Sequence, residues 1–139
     1  MQAYENGGHA YHATMPTDAL VGFRNTIREI DSFGFDNAKQ AQAELGKKVR
    51  EMLSSKGIPN VAAEGFQAPG VVVSYTDVVG IHNGSQFAAE GMQIAAGVPL
   101  MCNEPEDFRT FRLGLFGLDK LQNIDRSVES LSKVLDRVL

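Results

Sequence analysis

The sequence predicts an α+β domain, with a small, mostly antiparallel sheet and helices packed on one face. Three observations lead there. Apolar residues recur at steps of three and four between residues 17 and 56 and again from 119 to the end, which is the period of amphipathic helices. Between those stretches lie a β-branched run, Val71-Val72-Val73-Ser74-Tyr75, and an alternating run, Phe111-Arg112-Leu113-Gly114-Leu115, both strand patterns. The chain has 139 residues, one domain's worth, with room for one core.

Residues 1–14 show no sustained period and read as an extended, glycine-hinged segment. Pro16-Thr17-Asp18 starts a helix, with Thr17 as its cap and Asp18 at the positive end of the dipole. Leu20, Phe23, Ile27 and Ile30 form its stripe, flanked by Arg24 and Arg28 on a solvated face. Gly34 breaks the period, and a second helix runs from about Asp36 to Lys56, with Ala38, Ala41, Leu45, Val49 and Met52 or Leu53 as its stripe. Lys39, Lys47 and Lys48 lie off that stripe, and Gly57 is a natural stop.

Val61-Ala62-Ala63 is a short strand candidate, and Gly65 and Ala68-Pro69-Gly70 mark a turn. Val71 to Tyr75 is apolar on both faces, which predicts a central strand. Asn83-Gly84-Ser85 leads into a short helix with Phe87, Ala88 and Met92 inward. Ile94 to Ala96 and Val98 to Met101 read as a further strand, confined by Pro99 to an edge or bulge. An acidic loop, Asn103 to Asp107, precedes the arginine strand. Asp119 caps a last helix with Gln122 as its capping-box partner, and Leu121, Ile124, Val128, Leu131, Leu135 and Val138 make its stripe.

Composition excludes several classes. Lys and Arg number 13 against 17 Asp and Glu, for a net charge of −4, and the basic residues do not cluster, so no nucleic-acid partner is expected. No apolar run is long enough to cross a bilayer. No charged-then-apolar leader opens the sequence. Cys102 stands alone, which precludes an intrachain disulfide and suits a reducing cytoplasm; it is expected to be a small buried apolar residue.

Few side chains suggest chemistry on their own. His9 and His12 are three apart, but no cysteine or acidic cluster completes a metal site around them. Cys102 and His82 could pair as nucleophile and base, although nothing in the sequence ties them together. Asn6-Gly7-Gly8 precedes no helix directly and fails the context of a phosphate loop. Arg112 is the strongest candidate. A guanidinium fixed on a strand beside an open glycine position can grip a planar anion in bidentate fashion. The competing reading is a plain surface arginine on a two-sided sheet.

Three stretches taken together resemble the C-terminal part of class V, fold-type I aminotransferases that use pyridoxal 5'-phosphate, near the alanine–glyoxylate and serine–pyruvate group. Tyr11-His12-Ala13-Thr14-Met15-Pro16 is similar to that group's Tyr-His-x-Thr-x-Pro. Phe111-Arg112-Leu113-Gly114-Leu115-Phe116-Gly117 is similar to its aromatic/apolar-Arg-Ile-Gly-Leu-x-Gly. Asn123-Ile124-Asp125-Arg126 is similar to its Asn-Val-x-Arg in the last helix. Order and spacing agree, so the resemblance covers essentially the whole chain.

The resemblance implies that Arg112 binds the substrate's α-carboxylate. It implies that Tyr11 and Thr14 reach across a homodimer interface to hydrogen-bond the cofactor phosphate in the neighbouring subunit. It also implies residues 1–16 as an interdomain segment and 17–139 as the small domain. The Schiff-base lysine, the aspartate facing the pyridine nitrogen and the stacking residue belong to a large domain that this sequence does not contain. The lysines present fall outside any family lysine motif, so the fragment is expected not to bind the cofactor or transaminate alone. The parent enzyme would move an amino group between alanine or serine and glyoxylate or pyruvate. A stand-alone carboxylate-binding or regulatory module, and a class V lyase or epimerase, remain alternatives. Exposed apolar surface and self-association are expected where the large domain docks.

Overall fold

In the computed structural model, residues 2–8 and 14–139 are described. The chain divides into two compact units, Met1–Gly34 and Phe35–Leu139.

The first unit holds α1 (Gln2–Glu5) and α2 (Thr17–Phe33). Pro16, not Thr17, occupies the N-cap position of α2, and no side chain caps it. The Pro16 carbonyl already accepts the first helical bond, from Leu20 N at 3.0 Å, so Thr17 lies inside the helix and its hydroxyl is one position too late to cap. Gly34, at φ 95°, closes the helix by donating its N–H to the carbonyls of Ile30 and Asp31. No residue of α2 is buried.

The second unit begins with α3 (Phe35–Ser55), whose Leu45, Val49 and Leu53 are buried as the stripe predicts. Gly57, at φ 75°, follows it in the left-handed region. The three-stranded sheet has the order β1 (Val71–Tyr75), β3 (Thr110–Gly114), β2 (Ala95–Ala96), all antiparallel. Val72 and Ser74 of β1 lie opposite Leu113 and Phe111 of β3 and face the core with them. Helices α3, α5 (Ser85–Ala89) and α7 (Ile124–Val138) complete that core through Phe87, Leu131, Val134 and Leu135. The rings of Phe87 and Phe111 stand 6.1 Å apart.

Several local expectations give way. The central strand is β3, not β1. On its other side β1 meets only one isolated bridge, Asn60 to Ser74, with backbone bonds Val61 N to Val73 O and Tyr75 N to Pro59 O. Pro59 has no N–H to extend a ladder, and Gly65 turns the chain away at φ 84°, so residues 61–63 form no strand. Val98 to Met101 forms none either, because Met101 and Asn103 adopt φ 62° and 65°, which extended pairing does not allow. A short helix α4 (Val79–His82) precedes α5, and Ala88 of α5 is exposed, not inward. The last helix is two pieces, α6 (Leu118–Leu121) and α7. Gly117 and Asn123 are their N-cap residues, neither with a side-chain cap bond. Asp119 therefore lies inside α6 and forms no capping box; its carbonyl accepts the Asn123 side-chain amide. Cys102 is exposed, not buried, because it sits in the irregular loop and not on a strand.

Candidate carboxylate site

Arg112 occupies the middle of the central strand, opposite Val73 of β1 on one side and Ala95 of β2 on the other. Alternation along β3 turns Phe111, Leu113 and then Leu115 into the core and sends Arg112 to the opposite face. There the residue is half-buried, and its guanidinium contact lies in the open. Its Nε donates to the carbonyl oxygen of Ala96 at 2.8 Å. Among the described residues no carboxylate pairs with it. One edge of the guanidinium is thus spent on fixing its orientation, and its two terminal nitrogens remain available as parallel donors. Gly114, two residues along the same face, is exposed, and a Cβ there would meet nothing nearer than Phe116 Cδ2 at 3.9 Å.

The anchor for Arg112 is itself held by residues that the sequence did not single out. The Gly97 N–H donates to the His82 carbonyl at 3.0 Å. The His82 ring Nδ1 lies 2.7 Å from the Thr110 carbonyl; an oxygen acceptor there requires that Nδ1 carry the proton. A Cβ at Gly97 would overlap the Thr110 carbonyl and crowd its hydroxyl, so only glycine lets the chain pass this close to β3. The single signal in the sequence was the small-residue run Ala95-Ala96-Gly97. The imidazole is therefore engaged with the strand, and no contact pairs it with Cys102.

Beyond β2, the loop carries a carboxylate clasp. Glu104 accepts the backbone N–H groups of Leu100 at 2.6 Å, Met101 at 3.0 Å and Cys102 at 2.8 Å. Its own backbone N–H, followed by those of Cys102 and Met101, pulls its pKa down from the usual value to about 2. Met101, at a left-handed φ of 62°, lies within the clasp, and Asn103, at 65°, lies just beyond it.

Thr14 is exposed, ahead of α2 in the first unit. Tyr11, with His9 and His12, falls outside the described residues. Arg112 belongs to the second unit, and each position is described within its own unit. Among the described residues no cluster of His, Cys, Asp or Glu could hold a metal ion, and no helix is long and apolar enough to cross a membrane.

No family model matches the chain, and no curated protein sequence matches it. Solved structures do. Alanine–glyoxylate aminotransferase from Nostoc sp. superposes on 91% of this chain with a TM-score of 0.68 at 18% identity. Ureidoglycine–glyoxylate aminotransferase from Bacillus subtilis superposes on 82% of it with a TM-score of 0.60, also at 18% identity. The fold is that of part of these glyoxylate aminotransferases. The chain spans only 33% and 29% of their lengths.

Pyridoxal phosphate, which the sequence resemblance implies, needs a lysine free to hold it. Every lysine of this aminotransferase-type fold except Lys39 is already engaged. Lys48 sits between Asp125 and Glu44, at 2.8 and 3.0 Å, and its hydrogen bond to Asp125 leads in pushing its pKa up to about 12. Lys56 pairs with Asp136, Lys133 with Glu129 and Lys47 with Glu51. Lys120 bonds the Phe116 carbonyl at 2.9 Å, and Lys39 is exposed on α3. An ammonium stabilised like that of Lys48 is a poor nucleophile.

Proposed function

We propose that this chain is the C-terminal small domain of a cytoplasmic, pyridoxal-phosphate-dependent aminotransferase acting on a small amino acid, alanine or serine, and a 2-oxo acid, glyoxylate or pyruvate. Residues 1–16 form the interdomain segment, and 17–139 form the small domain. The large domain and a second copy of the enzyme complete the active site. The observation that carries this reading is Arg112, held through Nε by the Ala96 carbonyl and free of any carboxylate among the described residues. The likeness of the fold to two glyoxylate aminotransferases supports it.

In this reading the terminal nitrogens of Arg112 receive the substrate α-carboxylate end-on, since the Nε edge is occupied. That grip fixes where the amino- or oxo-bearing carbon lies and leaves the side-chain end of a small substrate toward Gly114. The hydroxyls of Tyr11 and Thr14 donate to the cofactor phosphate of the neighbouring subunit. The cofactor, carried by the large domain's lysine, supplies the electron sink for transamination. No proton-transfer step is assigned to a residue of this chain.

The test has two arms. The chain alone, given pyridoxal phosphate, alanine and glyoxylate, should form no pyruvate; turnover would overturn the reading. Joined to the lysine-bearing large domain encoded upstream of it, the chain should be active, and Arg112→Gln should raise KM for the carboxylate substrate roughly tenfold to a hundredfold, the range of a charge-assisted pair. An unchanged KM would remove Arg112 from the site.

A further inference from the structure

A cavity of about 420 Å³ opens between the helices and the end of β3, with Gly114 and Leu115 in its wall and Arg112 outside its lining. Its floor is core: Leu45 and Val49 of α3, Leu113 of β3 and Leu131 of α7. Its rim carries Arg126 and Ser130 of α7. Arg126 is the last residue of the Asn-Ile-Asp-Arg stretch, for which the proposed reaction has no use. Its guanidinium makes no hydrogen bond or ion pair among the described residues, and neither does the Ser130 hydroxyl. The other charges on the wall cancel, since Lys120 lies 3.7 Å from Asp119 and is bonded to the Phe116 carbonyl. The cavity therefore presents an apolar floor and one uncompensated, planar cation at its mouth.

We propose that this cavity binds a medium-chain aliphatic monocarboxylate, its tail against the leucine and valine floor and its carboxylate on Arg126. The size falls at the lower end for small-molecule sites, which suits a single unbranched chain. Burial of the methylenes supplies most of the affinity, and the guanidinium selects the anion. Ser130 offers a second donor to the same head group.

Titration of the chain with octanoate, followed by amide NMR, tests the site. Saturable shifts should map to Ser127, Ser130, Leu131 and Met92. Octanol, which keeps the tail and loses the charge, should bind about tenfold more weakly, and acetate, which keeps the charge and loses the tail, should not saturate. Arg126→Gln should weaken octanoate about tenfold and leave octanol unchanged. Arg112→Gln should leave octanoate binding intact, since Arg112 is not part of the cavity lining. Octanol binding as tightly as octanoate, an Arg126→Gln variant with unaltered octanoate affinity, shifts confined to Ala95 and Ala96, or no saturable shift at all would each overturn the proposal.

Discussion

Helices α2 and α7 are written in the same way and end differently. Both are amphipathic, of 17 and 15 residues, with apolar side chains at steps of three and four. In α7 the stripe is buried: Leu135 is 0% exposed and Val134 5%. In α2 the equivalent stripe lies open, with Leu20 at 49%, Phe23 at 66% and Ile27 at 41%. The period of a helix reports its capacity to bury a face, not the presence of something to bury it against. In the proposed whole enzyme, that something is the large domain or the second copy.

The contrast can be broken at its strong end first. Leu135→Ala should destabilise the second unit by roughly 2–5 kcal/mol, the range for deleting a packed leucine; urea denaturation measures it. A loss below about 1 kcal/mol would mean that α7 is no better anchored than α2. Gly97→Ala should come next, at about 1–3 kcal/mol, because the new methyl has no room beside Thr110. The same variant should displace the Ala96 carbonyl and broaden the Arg112 Nε–H resonance, a readout that a purely structural loss elsewhere would not give.

Acid probes a third kind of order, a loop whose apolar residues are exposed and whose backbone is fixed by one carboxylate. The folded pKa of Glu104 is lowered to about 2, so its contribution is fully present above the ordinary carboxylate range. It is lost as pH falls from there through about 2. Protection of the Leu100, Met101 and Cys102 amides against hydrogen exchange should fall over that window while the Phe111 and Leu113 amides stay protected. Simultaneous loss at both places would show that the clasp is not local. The smallest effect belongs to Phe23→Ala, which should change the stability of the isolated chain by no more than about 0.5 kcal/mol. In the complete enzyme the same substitution should cost several times more.

Much of this was legible in advance. Helices α2, α3 and α7, the strand Val71–Tyr75 and the arginine strand all follow from period alone, because each buries or could bury one face. What escaped was decided by backbone geometry and by absent partners. The edge position of β1 depends on Pro59 and Gly65 refusing a neighbouring ladder. The break between α6 and α7 lies at Asn123, whose φ of −139° leaves the helical region. β2 stops where the Gly97 N–H turns to the His82 carbonyl and leaves the ladder. Of the site, Arg112 was visible as a lone guanidinium on an alternating strand. The Ala96 carbonyl that orients it was invisible, since a main-chain oxygen leaves no mark in a sequence. The Glu104 clasp was hidden for a related reason: its partners are backbone amides.

The claim on which the rest depends is that Arg112 offers a pre-oriented pair of donors to a small carboxylate. Titrating the chain with pyruvate while following the Arg112 Nε–H and the Ala95 and Ala96 amides tests it most directly. A saturable, millimolar response confined to those groups, and abolished in Arg112→Gln, is the predicted result. A response that never saturates, or that survives the substitution, would contradict it.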